Sequence, residues 1–258
     1  MKLLIAIPVF NERKMGTAVL DEVLRYHDDV LVIDDGSTDG TAELLSQRTD
    51  IKLLRHPVNL GYGKSLIDAF SYAHRRGYDW IITMDYDEQH EPAMIPVFKR
   101  EIEKDDADVI SGSRYLRSDD AVTLPPPERR AINHTITTLL NALFGWQLTD
   151  SFCGYKAHRV KPTVDLKLTE TGYAFPLQLW PRVAAAGLRV RELPVKLIYN
   201  DPNRTFGSGL DDAQRRLKHY LNVLNSELQR DTIVPLRDAS PAVDTGTAPP
   251  RSGACCRC

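Results

Sequence analysis

Residues 80–90 read WIITMDYDEQH and join a short apolar run to an acidic loop. The first five residues are typical of a buried strand, because a short apolar run bounded by polar residues suits a sheet covered on both faces. Ligands of an open α/β sheet bind beyond the carboxyl ends of its strands, and the acidic loop stands at such an end. Since side chains two apart in extended chain point to the same side, we expect Asp85, Asp87 and Gln89 to face one site.

The chemistry of these three side chains indicates a divalent cation. Two carboxylates and an amide oxygen suit Mg²⁺ or Mn²⁺. Without a cation, Asp85 and Asp87 would repel each other, whereas a bound cation removes the repulsion and leaves positive charge for a diphosphate. The same residues also fit a simpler interpretation, in which they form a solvated acidic loop after a strand.

Strands and helices alternate around this segment. An alternation of this kind predicts an α/β fold with a doubly wound, mostly parallel sheet and helices on both faces. The predicted strands cover 3–9, 30–33, 51–54, 80–84 and 108–111, and the predicted helices run to about residue 26 and over 41–48, 64–76 and 92–104.

The pattern loosens beyond Gly112, and three prolines at 125–127 mark a break. Residues 233–258 are rich in Pro, Ala and Cys and cannot bury enough apolar surface to order themselves, so a disordered tail is expected. One domain is therefore predicted over 1–232. Its later elements are helices over 129–144, 174–186 and 210–230 and a strand over 188–198.

The bulk composition of the 258 residues limits the class of protein. Hydrophobic residues make up 42% and charged residues 26%, which is typical of a globular domain, and the net charge of -2 provides no basic field for nucleic acid. The longest apolar run, 3–10, is well short of the roughly 18 residues that span a bilayer. Cys153 stands alone and the other cysteines crowd the last four positions, so we expect no disulfide framework and a reducing, cytoplasmic compartment.

Residues 33–41, IDDGSTDGT, follow another predicted strand. The glycines permit a tight turn and the hydroxyls can cap the next helix, so one interpretation of the segment is turn and cap alone. In the functional interpretation, Asp35 accepts hydrogen bonds from a nucleotide base or ribose.

Residues 7–12, IPVFNE, end the first predicted strand. Glu12 is a candidate acceptor for a ribose hydroxyl, and Phe10 is a candidate neighbour of a base. A core strand that meets a loop is the alternative.

Residues 59–65, NLGYGKS, are similar to a P-loop only in their last three positions. The leading glycine of that motif would fall at Val58, so the P-loop interpretation fails. Lys64 at a helix start remains a candidate for a phosphate contact, through its charge and the helix dipole. An exposed lysine without a ligand is the alternative.

These segments, taken in order along the chain, resemble glycosyltransferase family 2, whose members have the GT-A fold. The resemblance is closest to the polyprenyl-phosphate (dolichyl-phosphate) sugar transferases and covers residues 3–232. It divides the domain into a nucleotide-binding half, 1–112, and an acceptor half, 113–232. The segments that carry it are IPVFNE, VIDDGSTDGT, NLGYGKS, MDYDEQHEP, SGSRY and TDSFCGYK.

The resemblance implies an inverting, metal-dependent enzyme. It would move a sugar from a nucleotide-diphosphate donor of the GDP-mannose or UDP-glucose type to an acceptor, with a polyprenyl phosphate favoured over a glycan or other hydroxyl acceptor. A nucleotidyltransferase is one rival, but it would carry a glycine-rich loop where residues 8–12 read PVFNE. A non-catalytic nucleotide-sugar-binding protein is the other, and it has no need of Asp85, Asp87 and Gln89.

The resemblance assigns donor-side roles residue by residue. It implies a Mg²⁺ or Mn²⁺ site of Asp85, Asp87 and Gln89, with Asp87 counted as catalytic. This chain departs from the family in having Phe10 where Tyr is usual and Tyr86 where a small residue is usual, and Tyr86 would stand beside the donor. The nucleotide-sugar-binding residues are therefore predicted to be Pro8, Phe10, Glu12, Ile33, Asp35, Lys64, Asp85 and Tyr86.

The acceptor-side roles fall on arginines and one carboxylate. Arg114 resembles a family arginine that meets the acceptor phosphate, and Arg130 and Arg204 are further candidates, since a guanidinium binds phosphate oxygens two at a time. Asp150 matches the position of the base in members with hydroxyl acceptors, with helix capping as the alternative. A phosphate acceptor is already ionised near pH 7 and needs no strong base.

The predicted helix 129–144 bears on the membrane question. Its apolar stripe fits either a membrane surface or packing on the sheet. No segment is long and apolar enough to cross a bilayer. We therefore expect a cytoplasmic protein, with peripheral contact to the cytoplasmic membrane face through 129–144 as one outcome.

Overall fold

The computed structural model describes residues 1–86, 90–116, 125–196, 198 and 209–230. Within these residues, seven strands form one sheet in the order β3-β2-β1-β4-β6-β5-β7. The strands are β1 Leu3–Val9, β2 Val30–Asp34, β3 Lys52–Arg55, β4 Trp80–Thr83, β5 Val109–Ser113, β6 Lys156–Arg159 and β7 Val190–Pro194.

Helices connect these strands on both sides of the sheet. Two short 3₁₀ turns, Arg13–Met15 and Pro92–Met94, precede α1 and α4. The helices are α1 Ala18–Leu24, α2 Thr41–Ser46, α3 Tyr62–Arg75, α4 Ile95–Glu103, α5 Pro127–Phe144, α6 Val160–Asp165, α7 Phe175–Ala185 and α8 Ala213–Leu228.

The first strand shows how the sheet is covered. Leu4 and Ala6 face one core cluster, which includes apolar residues of α3, α5 and α7. Leu3, Ile5 and Ile7 face the other cluster, with residues of α1 and α4. Alternate side chains of a strand point to opposite faces, so a run that is apolar throughout covers both. The doubly wound sheet with helices on both faces is confirmed.

The sequence analysis missed β6 and the helix α6 that follows it. The strand β6 lies between β4 and β5 and runs antiparallel to both. Its sequence, KAHR, has no apolar run, yet Lys156, Ala157 and His158 are buried. Because β6 runs backwards, the loop before it reaches the edge where β4 and β5 end.

The helix α5 carries the apolar stripe of 129–144, for which either a membrane surface or packing on the sheet was expected. Pro127 is its first residue, a position where the missing N–H of proline costs no hydrogen bond. Ile132, Ile136 and Leu140 are buried in the core cluster, so the stripe packs on the sheet. The structure therefore favours packing on the sheet for this stripe, and peripheral contact with a membrane stays a prediction. Within the described ranges, no helix is both long and apolar enough to span a bilayer.

The later elements differ from the prediction mainly in length. The strand predicted over 188–198 ends at Pro194, and the helix predicted over 210–230 begins after Asp212, whose side chain caps it by accepting from the Arg215 N–H at 2.8 Å. The tail predicted over 233–258 lies outside the described residues.

Candidate active site

The candidate site lies at the edge of the sheet where β1, β2, β4 and β5 end and β6 begins. The parallel strands bring residues 10–12, 35–41 and 84–86 there, and the antiparallel β6 adds residues 150–155. Most of the residues predicted from separate motifs therefore meet at one edge, as open α/β sheets require of a ligand site.

Asp35, in the turn after β2, is held by three donors. Its carboxylate accepts the backbone N–H groups of Leu60 at 2.9 Å and Gly61 at 2.8 Å, and His56 Nδ1 lies 2.7 Å from Oδ1. The next residue, Gly36, has φ of 75°, and a Cβ there would lie 2.3 Å from the Val58 carbonyl carbon. Only glycine fits this turn, which fixes the carboxylate at the edge.

The loop after β1 is tied to the same turn by Asn11. This residue adopts φ of 55°, which asparagine tolerates better than most residues. Its N–H donates to Ser37 Oγ at 2.9 Å, and its Oδ1 accepts the Thr38 N–H at 2.8 Å. Two of the residues predicted to bind the nucleotide sugar flank Asn11. Phe10 is 42% exposed, and the Glu12 N–H donates to Thr41 Oγ1 at 3.0 Å.

His56 links Asp35 to Lys64 through a second carboxylate, and the sequence analysis missed it. Its Nε2 lies 2.9 Å from Asp68 Oδ2, and the Lys64 ammonium lies 2.5 Å from Asp68 Oδ1. Lys64 is thus paired with a carboxylate at the start of α3, and its side chain remains about one third exposed. A chain of alternating acidic and basic groups runs from the turn after β2 to the helix.

Asp85 follows β4 with its side chain 26% exposed. The Tyr62 hydroxyl donates to its Oδ1 at 3.1 Å, and its backbone N–H donates to His90 Nδ1 at 2.9 Å. A Cβ at Gly154 would lie 2.6 Å from Asp85 Oδ2, so the bare glycine makes the room for this carboxylate. His90, which the motif analysis left without a role, fixes the turn that presents Asp85.

Of the three predicted metal ligands, Asp85 lies within the described residues. Asp87 and Gln89 lie outside the described residues, and within the described ranges no group of three His, Cys, Asp or Glu side chains is arranged to hold a metal. Asp85 presents an anionic oxygen in a cradle bounded by Gly154, and oxygen donors are what Mg²⁺ and Mn²⁺ prefer. This residue fits a site for either cation.

Two of the predicted nucleotide-sugar-binding residues, Tyr86 and Ile33, have buried side chains. Tyr86 is only 2% exposed and packs in the core cluster of α1 and α4, where its hydroxyl donates to the Gly16 carbonyl. Burial raises the pKa of Tyr86 to about 12, so its hydroxyl stays protonated and can donate a hydrogen bond. Ile33 is fully buried in the other core cluster. Both side chains lie in the core clusters, whereas Pro8 is half-buried in β1 near the edge.

Arg114 and Asp150 form a two-point ion pair in the acceptor half. Arg114 Nε lies 2.6 Å from Asp150 Oδ2, and Nη2 lies 3.0 Å from Oδ1. The carboxylate also accepts from Asn133 Nδ2 at 2.8 Å and from the N–H groups of Phe152 and Cys153 at 3.1 and 3.2 Å. Asp150 is fully buried, whereas the Arg114 side chain is 20% exposed.

The electrostatics of Asp150 bear on its predicted role as a base. Burial alone would raise its pKa, but the charge and hydrogen bonds of Arg114, with the hydrogen bond from Asn133, bring the pKa down to about 2. A general base works best with a pKa near the operating pH. The arrangement therefore favours a carboxylate that holds Arg114 over one that removes a proton.

A second cation stands beside this pair. The Arg114 and Arg130 guanidinium carbons lie 5.7 and 5.9 Å from the ring centre of Tyr115. Arg130 is exposed at the start of α5, and Arg204 lies outside the described residues. Two guanidinium groups around one ring are suited to one anionic ligand.

Glu192, on the edge strand β7, supports the loop that carries Asp150. It accepts the Thr149 N–H at 2.9 Å, the Thr149 hydroxyl at 2.8 Å and the Asp150 N–H at 3.0 Å. Burial raises the pKa of Glu192. The sequence analysis missed this residue, because nothing near it in the chain marks a contact with residues more than forty positions earlier.

Comparison with known proteins adds family and fold. Residues 4–166 match the family model described as glycosyl transferase family 2. The undecaprenyl-phosphate mannosyltransferase of Micrococcus luteus is 29% identical over 218 residues, covering 81% of this chain and 88% of the relative. The polyprenol monophosphomannose synthase of Mycolicibacterium smegmatis is 30% identical over 229 residues, covering 84% and 86%.

Solved structures with this fold include two complexes that contain a uridine nucleotide. The glucosyl-3-phosphoglycerate synthase of Mycobacterium tuberculosis, with Mn²⁺, UDP and glucosyl-3-phosphoglycerate bound, aligns with a TM-score of 0.67 at 17% identity over 88% of this chain and 79% of that one. TarS of S. aureus with UDP-GlcNAc aligns with a TM-score of 0.53 at 16% identity over 88% and 72%. At these identities the likeness concerns the fold alone.

Proposed function

The chain belongs to glycosyl transferase family 2, and we propose that it transfers mannose, with inversion, from a nucleoside-diphosphate sugar to a polyprenyl phosphate. The observation that carries this proposal is the ion pair of Arg114 and Asp150. The fully buried Asp150 carboxylate holds the partly exposed Arg114 guanidinium at the edge of the sheet where the candidate site lies. A guanidinium held in this way is suited to bind an anionic acceptor. The names of the two curated relatives support the lipid phosphate and the mannosyl group.

The donor is bound by the ends of β1, β2 and β4 in this proposal. Asp35 accepts an N–H of the base, with the Phe10 ring beside it. Asp85, together with Asp87 and Gln89, holds Mg²⁺ or Mn²⁺. A cation held by these residues would neutralise the charge of the diphosphate leaving group. The Mn²⁺ bound in the glucosyl-3-phosphoglycerate synthase complex supports a divalent ion in this fold.

The acceptor is positioned by arginines. Arg114, held by Asp150, and Arg130 bind the acceptor phosphate, whose ionised oxygen attacks the anomeric carbon without a strong base. Inversion follows from attack on the face opposite the leaving group. Since this acceptor is a membrane lipid, the protein would work as a peripheral protein at the cytoplasmic membrane face.

A transfer assay tests the proposal. The purified full-length chain is incubated with Mn²⁺ or Mg²⁺, with GDP-mannose or UDP-glucose, and with either a polyprenyl phosphate or the matching polyprenol. We expect mannosylation of the lipid phosphate, none of the free alcohol, and loss of transfer with a chelator. Transfer to the alcohol alone would instead support a hydroxyl acceptor, and release of pyrophosphate would support a nucleotidyltransferase.

A further inference from the structure

The NLGYGKS segment, which is not a P-loop, forms a contact between the two halves of the chain. A Cβ at Gly61 would lie 2.3 Å from the Thr171 carbonyl oxygen, and a Cβ at Gly63 would lie 2.3 Å from the Glu170 carbonyl oxygen. The Lys64 N–H donates to the Thr171 carbonyl at 3.1 Å. The two glycines therefore allow the start of α3 to lie directly on the backbone of residues 170–171.

Tyr62, between the two glycines, connects this contact to the metal side of the site. Its ring stacks on Tyr173 with centres 5.8 Å apart and planes 14° apart. Its hydroxyl donates to Asp85 Oδ1 at 3.1 Å. A Cβ at Gly154 would lie 2.8 Å from that hydroxyl oxygen and 2.6 Å from Asp85 Oδ2. A third glycine thus makes room for the hydroxyl–carboxylate pair.

We propose that Tyr62 is a positioning residue that orients the Asp85 carboxylate for the divalent cation. The hydrogen bond to Oδ1 fixes the plane of the carboxylate before the cation arrives, and preorganised ligands bind more tightly than mobile ones. Residues 170–173 support Tyr62 through the backbone contact and the stacked ring. The proposal rests on the proposed function, because it takes Asp85 as a metal ligand.

The chain supplies a clean way to separate this role from packing. Tyr62→Phe keeps the ring and its stack on Tyr173 and removes only the hydroxyl. Tyr72→Phe is the matched control, because Tyr72 lies on the same helix with its ring 5.6 Å from the Arg76 guanidinium carbon. Gly154→Ala is a second variant that presses on the same carboxylate, and Gly154 does not have the positive φ that would itself bar alanine.

The experiment measures binding and not turnover. Free Mn²⁺ is followed by electron paramagnetic resonance while the full-length chain is titrated in the presence of GDP or UDP, whichever the wild type binds. We expect Tyr62→Phe to raise the Mn²⁺ dissociation constant about tenfold, since a hydrogen bond to a charged group is lost. Gly154→Ala should raise it as well, and Tyr72→Phe should leave it unchanged.

The outcomes separate this inference from the proposed function. A Tyr62→Phe variant that binds Mn²⁺ within twofold of the wild type would leave metal-dependent donor binding intact and overturn the positioning role. A wild type that binds no Mn²⁺ with either nucleotide would overturn both. Thermal unfolding of the same samples shows whether each variant is folded, and a loss of Mn²⁺ affinity at unchanged melting temperature supports the proposal.

Discussion

Asp85 and Asp150 are carboxylates at the same edge of the sheet, but the chain surrounds them differently. Asp85 is 26% exposed and receives the Tyr62 hydroxyl at 3.1 Å. Asp150 is fully buried and accepts from six donors within 3.2 Å, three of them on Arg114. A carboxylate that is partly exposed can receive a ligand, whereas a buried one that already accepts six hydrogen bonds has no acceptor site left and acts through the group it holds.

The largest effect is expected from Asp150→Asn. The change removes the negative charge that balances Arg114. It also places the N–H₂ group of the new asparagine against N–H groups that donate to Asp150, in the interior of the fold. Breaking a buried pair at one partner costs about 3–5 kcal/mol of unfolding free energy. Urea denaturation followed by circular dichroism measures the loss.

The control for this change is Asp165→Asn. Asp165 pairs with Lys161 at 3.0 Å on the exposed surface of α6. Removing an exposed pair costs less than about 1 kcal/mol. If both variants lost less than about 1 kcal/mol of unfolding free energy, the Asp150 pair would behave as a surface pair. The contrast with Asp85 would then disappear.

The pH dependence of stability sharpens the comparison further. The pKa of Asp150 falls from 3.8 to about 2 on folding, so its contribution is fully present above pH 4 and is lost as the pH falls toward 2. We expect the difference in unfolding free energy between wild type and Asp150→Asn to shrink by about 2 kcal/mol over that range. A difference that stays constant from pH 5 to pH 2 would contradict the low pKa.

A smaller effect is expected from Glu192→Gln. An amide N–H₂ would replace one of the oxygens that face the Thr149 and Asp150 donors, at a cost of about 1–2 kcal/mol in unfolding free energy. The loosened loop should raise KM for the lipid phosphate and leave KM for the donor unchanged. Glu101→Gln is the control, since Glu101 pairs with Lys104 at 2.8 Å and with Arg191 at 2.7 Å away from this loop. A rise in both KM values would indicate general damage.

The smallest effect on folding is expected from Asp85→Asn. The Asp85 side chain is 26% exposed, and asparagine keeps an oxygen that can accept from the Tyr62 hydroxyl, so the unfolding free energy should change by less than about 1 kcal/mol. Nucleoside diphosphate binding should nevertheless lose its dependence on Mn²⁺, as measured by calorimetry with and without chelator. A large loss of stability with unchanged metal dependence would reverse the roles assigned to the two carboxylates.

Much of this architecture could be predicted because it depends on local periodicity. Six of the seven strands were predicted, five of them before residue 112 and one over 188–198. The rule that ligands bind at strand ends then located the edge. The strand β6 escaped because KAHR carries two cations and its burial depends on neighbours distant in sequence. The position of Tyr86 could have been predicted, since the period of two that places Asp85 and Asp87 together places Tyr86 on the opposite side.

Contacts between residues far apart in the sequence could not be predicted from it. The pairing of Arg114 with Asp150 joins residues 36 positions apart, and Glu192 reaches Asp150 across 42. Neither residue type indicates its partner, so the resemblance implied a base at Asp150 without revealing the arginine that this carboxylate holds. The same holds for His56, whose two carboxylate neighbours come from different elements.

The reversed direction of β6 has a consequence for engineering. Residues 145–155 leave a helix and enter a strand, while the donor loops leave strands and enter helices. One connection therefore carries both Asp150, which holds Arg114, and Gly154, which makes room for Asp85. An insertion or deletion in this connection is therefore expected to disturb the acceptor side and the cation side of the site together.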